Sequence, residues 1–318
     1  MLRKLHRHLD RKLSPYKPIF FPANRALRAT MRLIFDFDGT ITEKDTISTF
    51  AKAGIAHQRA FKGEDLSARW DDVVRKYVED YRRYQELYPT DEANRRTLSD
   101  EIKFLAGAED VESSSLLRVE QSGVFAGLTS SDLFRMGSEA VSSGKIVLRR
   151  GFKELLSAAQ EKGWDVGVIS VNWSCAFIQG VLDDPEFHVL ANEISQGGKI
   201  KGPDCLGRPL TNCSGKLHVY RGEFNARDAA EVSEDSTPTV YFGDSTTDLE
   251  CLANGTAGVS ITSDDSNSTL VQTLRRLGFP VPHASKGGRG DNKAAANICW
   301  ARDFQEVLQS GFLEQFEK

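Results

Sequence analysis

Three short apolar runs in this chain each stop on a polar side chain, the first ahead of a glycine turn and the other two ahead of a helix signal, and that repeat restricts the fold more than any other feature. Leu33-Ile34-Phe35 stops at Asp36, Val166-Gly167-Val168-Ile169 at Ser170, and Val240-Tyr241-Phe242-Gly243 at Asp244. Strands are expected from Met31, near 165–170, 187–193, 238–242 and 257–261, with helices over Gly151 to Gly163 and Cys175 to Leu182. Alternation of this kind predicts an α/β fold built on a doubly wound parallel sheet. Ligands bind such sheets at the carboxyl ends of their strands, which is where the polar residues fall.

The first run carries two acids. Successive strand residues alternate faces, so Asp36 and Asp38 project the same way while Phe35 and Phe37 pack on the other side. Two like charges that close raise one another's pKa unless a cation lies between them. Asp-Gly is also a common turn pair, so Asp38-Gly39 by itself reads equally as a surface turn. A second acidic group weakens that reading. In Gly243-Asp244-Ser245-Thr246-Thr247-Asp248, Ser245 is a plausible helix N-cap and Asp248 falls in the first turn, facing the same loop as Asp244.

Two further pieces lie between the acids. Ser170 ends a strand, and Asn172 and Trp173 lead from it into the next helix. Leu210 to Leu217 reads as a loop, a Ser214 cap and a helix with Lys216 in its first turn. The helix dipole disfavours a cation there, so the lysine is expected to face an anion. Lys201, the alternative cation, sits in what reads as a β-hairpin.

D-x-D-G-T, strand-Ser, helix-start Lys and G-D-S-x-x-D, in this order, resemble the motifs of the haloacid dehalogenase superfamily. The insertion between the first two looks like the helical cap of its phosphoserine phosphatase-like branch. The resemblance implies a Rossmann-like core, with Asp36 as a nucleophile that forms an aspartyl-phosphate and Asp38 as general acid and then general base. It implies that Ser170 and Lys216 bind phosphoryl oxygens. It also implies Mg²⁺ held by Asp36, the backbone carbonyl of Asp38 and Asp244, with Asp248 completing or orienting the shell. Electrostatics asks for the metal independently, because a phosphate dianion is repelled by several carboxylates unless a hard cation bridges them. Asp38 speaks against dehalogenation, since expelling halide needs no proton donor. No cap lysine is evident for phosphonate hydrolysis through a Schiff base.

The motifs divide the chain into a core, 31–43 and 149–318, and a helical cap, 44–148. Within the cap, a helix is expected to begin over Asp45 to Lys52, with others over Leu66 to Tyr84, Ser99 to Phe125 and Ser130 to Ser143. Trp70, Val73, Val74, Tyr77 and Tyr81 form a packing stripe on the second. Ala284 to Asn297 reads as a loop in which Arg289-Gly290-Asp291 is only loop composition, and Trp300 to Leu308 as a last helix. Residues 1–30 differ in kind, with eight Lys/Arg against Asp10. Their balance of +7 leaves −11 on the rest of a chain whose total is −4. Such a segment reads as a mitochondrial leader, as an extension ahead of an internal start at Met31, or as a surface-binding arm.

The overall charge offers no general attraction to nucleic acid, and no apolar run approaches the roughly 18 residues of a membrane span. Five cysteines without C-x-x-C spacing suit a reducing compartment. A cytoplasmic location is therefore expected, or a mitochondrial one if the basic segment is a leader. A homodimer is compatible with the sequence.

For the substrate, Asp45 matches in position the acid that reaches the substrate amine in phosphoserine phosphatases, although it could equally cap its own helix. The Trp70 and Tyr77–Tyr81 helix, Val119 to Val124, Trp173, Ala191-Asn192-Glu193 and Trp300-Ala301 together look like the phosphatase domain of plant thiamin-monophosphate phosphatases. Gly39 departs from that family, where the position is bulkier, and the thiaminase-like partner domain is absent from this sequence. The expected activity is hydrolysis of a small phosphorylated metabolite, with thiamin monophosphate or another amine-bearing phosphate leading. Asp45, Asn172 and Trp173 are the candidate specificity residues. A prenyl or terpenyl diphosphate would instead require a long apolar channel, and a phosphomutase would have to hold a bis-phosphorylated intermediate. A non-catalytic binding protein would not be expected to keep Asp36, Asp38, Lys216 and Asp244 together.

Overall fold

The computed structural model describes residues 29–225, 237–286 and 297–317. Most of the basic segment, the Arg289-Gly290-Asp291 triplet and most of the loop around it lie outside the described residues. The chain runs β1 (Arg32–Phe35), α1 (Ile47–Lys62), α2 (Ser67–Leu87), α3 (Leu98–Gly107), α4 (Glu109–Ser122), α5 (Ser130–Ser142), α6 (Phe152–Lys162), β2 (Asp165–Ile169), α7 (Cys175–Leu182) and β3 (Val189–Leu190). A hairpin of β4 (Glu193–Ile194) and β5 (Ile200–Lys201) follows, then α8 (Cys213–Tyr220), β6 (Thr239–Gly243), α9 (Leu249–Asn254), β7 (Ala257–Ile261), α10 (Thr269–Arg276), β8 (Asn297–Ala301) and α11 (Phe304–Ser310).

Six strands form one sheet in the order β3-β2-β1-β6-β7-β8, every neighbouring pair parallel. Every residue of β1, β6 and β7 is buried, as expected of a parallel sheet covered on both faces. Alternation along β1 sends Leu33 and Phe35 into one apolar layer and Ile34 into the other. On the first side Phe35 stacks on Phe242 at 4.6 Å and meets Phe152 of α6 and Phe304 of α11 edge-on. On the other, Leu217, Leu249 and Leu270 bring in α8, α9 and α10. Strand order reverses between β1 and β6, and the crevice at that switch point is the usual ligand position in such sheets. Asp36 and Asp244 stand at its two sides.

Helices α1 to α5 occupy the stretch between β1 and β2 and are stitched to the rest of the molecule. Gly137 of α5 and Gly180 of α7 let those helices touch, since a Cβ on either would run into the other's backbone. Arg276 of α10 and Arg95 both donate to Glu101 Oε2 of α3, at 3.0 and 2.9 Å, and this carboxylate is almost wholly buried.

Four expectations need correction. Ser99 to Phe125 is two helices that part at Ala108, the boundary residue of both. Only Val189–Leu190 of the 187–193 run pairs in the main sheet, while Glu193 turns into the hairpin. Trp300 belongs to an edge strand and not to the last helix, which starts at Phe304 with Asp303 as its cap. The cap of α8 is Asn212, which accepts from Gly215 N at 2.9 Å, whereas Ser214 donates to Glu250. Lys201 lies in the expected hairpin.

Candidate active site

After β1 the chain makes a five-residue turn, Phe37–Ile41, in which Gly39 takes a left-handed φ of 73°. The Asp244 carboxylate fills the space where a Cβ on Gly39 would go. A side chain at this position is therefore excluded twice, by conformation and by the acid packed against it. Thr40 Oγ1 donates to Asp244 Oδ1 at 3.1 Å, tying the two strand ends together. From below, the Arg149 guanidinium donates to the carbonyls of Gly39, Thr40 and Thr42. Arg149 thus holds the backbone of the acidic loop, a role the sequence reading missed.

Asp36 is buried and its Oδ1 accepts from Lys216 Nζ at 2.6 Å. The same Nζ donates to Asp248 Oδ1 at 2.7 Å, and no part of Lys216 reaches solvent. The anion expected opposite this lysine is thus a pair of the protein's own carboxylates. Asp248 also accepts from the Tyr241 hydroxyl at 2.9 Å and from the amides of Asp244 and Ser245, while Ser245 serves as the expected cap. Burial disfavours charge on Lys216, but Asp248 and Asp36 outweigh it and push the lysine's pKa up. Burial, with Asp248 and Asp244 nearby, raises Asp36 well above the usual carboxylate range against the pull of Lys216. Burial and Asp248 push Asp244 up to about 7.

Asp38 faces a different set of partners. Its Oδ1 accepts from Thr46 N at 2.8 Å and Thr46 Oγ1 at 2.5 Å, and its Oδ2 from Asn172 Nδ2 at 2.8 Å. Burial and the like charge of Asp45 lift its pKa to about 6, although those three donors pull the other way. Asp36 and Asp38 therefore share one cavity but not one environment: one leans on a lysine, the other on neutral donors. Ser170, fully buried, accepts from Asn172 N at 3.1 Å through its Oγ. Asp45 Oδ1 accepts from Ile47 N, the first residue of α1, at 2.9 Å, while Thr46 holds the N-cap position, and Asp45 also lines the cavity. Trp173 packs edge-on against Trp70 and Phe125 and lines the same cavity.

The cavity measures about 220 Å³ and is bounded at its base by Asp36, Asp38 and Asp244. Oxygens of Asp36, Asp244 and Asp248 can all lie within 4.8 Å of one another. An all-oxygen donor set on hard carboxylates suits Mg²⁺, and burial together with the charge of Asp248 raises the pKa of both Asp36 and Asp244 despite Lys216. The residues fit the ion. Asp248 already accepts from five donors on Lys216, Tyr241, Asp244 and Ser245, which suits it to orienting the others.

A family model for haloacid dehalogenase-like hydrolases matches residues 33–253. A CTO1 family protein of Schizosaccharomyces pombe is 27% identical over 284 residues, covering 81% of this chain and 93% of the relative. The bifunctional TH2 protein, mitochondrial, of Arabidopsis thaliana is 26% identical over 265 residues, which is 76% of this chain but 40% of that protein. Among solved structures, a phospho-aspartyl intermediate analogue of phosphoserine phosphatase superposes with a TM-score of 0.47 at 17% identity, over 89% of this chain and 99% of that one. The matched span runs from the strand that carries Asp36 to the helix that follows Asp248, and on that match the chain belongs to the haloacid dehalogenase-like hydrolase family.

Proposed function

We propose that this protein is a Mg²⁺-dependent phosphomonoesterase that hydrolyses a small amine-bearing phosphate through an aspartyl-phosphate on Asp36. The observation that carries the reading is the split between the two acids of one cavity, with Asp36 held on Lys216 and Asp38 poised near 6 among neutral donors. An Asp36 oxygen attacks phosphorus as the ester P–O bond breaks, and the Asp38 proton goes to the departing alkoxide. Asp38, now ionised, takes a proton from water as that water attacks the phosphoryl group. The acyl-phosphate bond to Asp36 then breaks and inorganic phosphate leaves. Lys216 and Ser170 are assigned to the phosphoryl oxygens, and Asp248 to holding Lys216 in place. Mg²⁺, held by Asp36, Asp244 and the Asp38 carbonyl, would supply charge neutralisation for the incoming phosphate. Residues 44–148 serve as the cap over this site.

The small cavity with Asp45 on its wall favours an amine-bearing substrate over a terpenyl diphosphate, which would need a long apolar channel. The resemblance to plant thiamin-monophosphate phosphatases makes thiamin monophosphate the leading member of the class. A Mg²⁺-supplemented phosphate-release screen over thiamin monophosphate, phosphoserine, phosphocholine, pyridoxal phosphate, nucleotides and prenyl diphosphates tests this. An amine-bearing phosphate should be turned over best, and absence of release from every compound would sink the proposal.

The pH profile offers a separate check. Asp45 raises the pKa of Asp38 by like-charge repulsion, so Asp45→Asn lowers it. The protonated acid is then lost at lower pH, and the alkaline limb of kcat/KM should move towards acid. A limb that stays put or moves the other way removes Asp38 as the proton donor.

A further inference from the structure

The cavity extends past the reacting carboxylates to α4. Glu109, Glu112, Leu116 and Glu120 follow one another at three- and four-residue spacing along that helix and so share a face. The ends of this face are pinned to the rest of the molecule. Glu109 Oε2 accepts from Asn212 Nδ2 at 2.6 Å, and Glu109 also pairs with Arg208. Glu120 Oε1 accepts from Ile200 N at 2.8 Å.

Between the pins, Glu112 and Leu116 line the cavity. Glu112 Oε1 accepts from the Tyr77 hydroxyl at 3.0 Å, and no Lys, Arg or His among the described residues pairs with this carboxylate. Burial pushes its pKa up. A half-buried acid without a counter-charge is costly unless something supplies one. Among the residues lining the cavity every charged one is an acid. Trp173 lines the same cavity and brings an aromatic side chain to it, and Thr211 Oγ1, buried there, has no hydrogen-bond partner among the described residues.

We propose that Glu112 and Trp173 form a subsite for an organic cation, the part of the substrate remote from phosphate, and that Glu112 sets the preference for cationic over neutral ligands. A cation here gains a carboxylate oriented by Tyr77 and an aromatic face. The position of the phosphate end rests on the phosphatase reading; the cation subsite does not.

Its test is binding of the cation alone to the full chain, followed by calorimetry. Thiamin is compared with its neutral isostere 3-deazathiamin, and choline with 3,3-dimethyl-1-butanol. At least one cation should bind about tenfold or more tightly than its isostere, the scale of one charged contact. Glu112→Gln keeps an acceptor for Tyr77 and should remove most of that ratio, with only the share due to Asp45 left, while Tyr77→Phe, which frees the carboxylate, should lower it less. A wild-type protein that does not discriminate, or a ratio unchanged in both variants, overturns the proposal. Phosphate release with an unchanged ratio sinks the subsite and leaves the phosphatase standing. Cation preference lost in Glu112→Gln without any phosphate release does the reverse.

Discussion

Asp36→Asn is expected to lower Mg²⁺-supported phosphate release by at least about 10⁴-fold, the scale on which hydrolases lose turnover when the nucleophile is removed. The substitution is nearly isosteric, and the amide oxygen can still accept from Lys216 Nζ, which lies 2.6 Å from Asp36 Oδ1. It also removes a buried charge whose pKa is raised by burial and by the like charges of Asp248 and Asp244. Thermal stability should therefore hold or rise while activity disappears, and no phosphorylated protein should be trapped on acid quenching. A variant that keeps a tenth of the wild-type rate would falsify the assignment of Asp36, whatever its stability.

Lys216→Met should act in the opposite direction, on the fold before the chemistry. Lys216 is the shared counter-charge of two buried carboxylates, Asp36 and Asp248. Removing one partner of a buried ion pair costs about 3–5 kcal/mol, because the charge left behind has neither water nor a partner. In a chain of this size that corresponds to a fall in Tm on the order of 10 °C. Unfolding is to be followed without substrate at neutral pH. The deficit should shrink as the pH is lowered, since Asp36, once protonated, no longer needs the lysine. A Tm within a degree or two of wild type would show that the carboxylates do not depend on it.

The parts of the site that the sequence exposed are those whose signals are local. Asp36, Ser170 and Asp244 each follow an apolar run, and strand ends are legible because the change from apolar to polar falls within two residues. Lys216 was legible as a cation in the wrong electrostatic place. The errors arise where local signals compete or fall silent. Asn212 and Ser214 are both good caps two residues apart, and only the loop geometry chooses Asn212. The strand Asn297–Ala301 is short, and its Trp300 fits an apolar helix pattern equally well. The break at Ala108 carries no proline and follows Gly107 without a turn signal. Arg149 and Glu112 could not have been found this way, because Arg149 meets Gly39, and Glu112 shares a cavity with Trp173, only across the fold. Nothing adjacent to either in sequence marks it.

The contacts joining α1–α5 to the rest of the molecule bear on how the helical block can move. Glu109 with Asn212, Glu120 with Ile200, Glu101 with Arg276, and Gly137 against Gly180 would all have to part for that helical block to swing away as a unit. Side chains lining the cavity reorient far faster than packed helices separate, so with this block fastened at four places the quickest changes in the cavity's outline are those of its side chains.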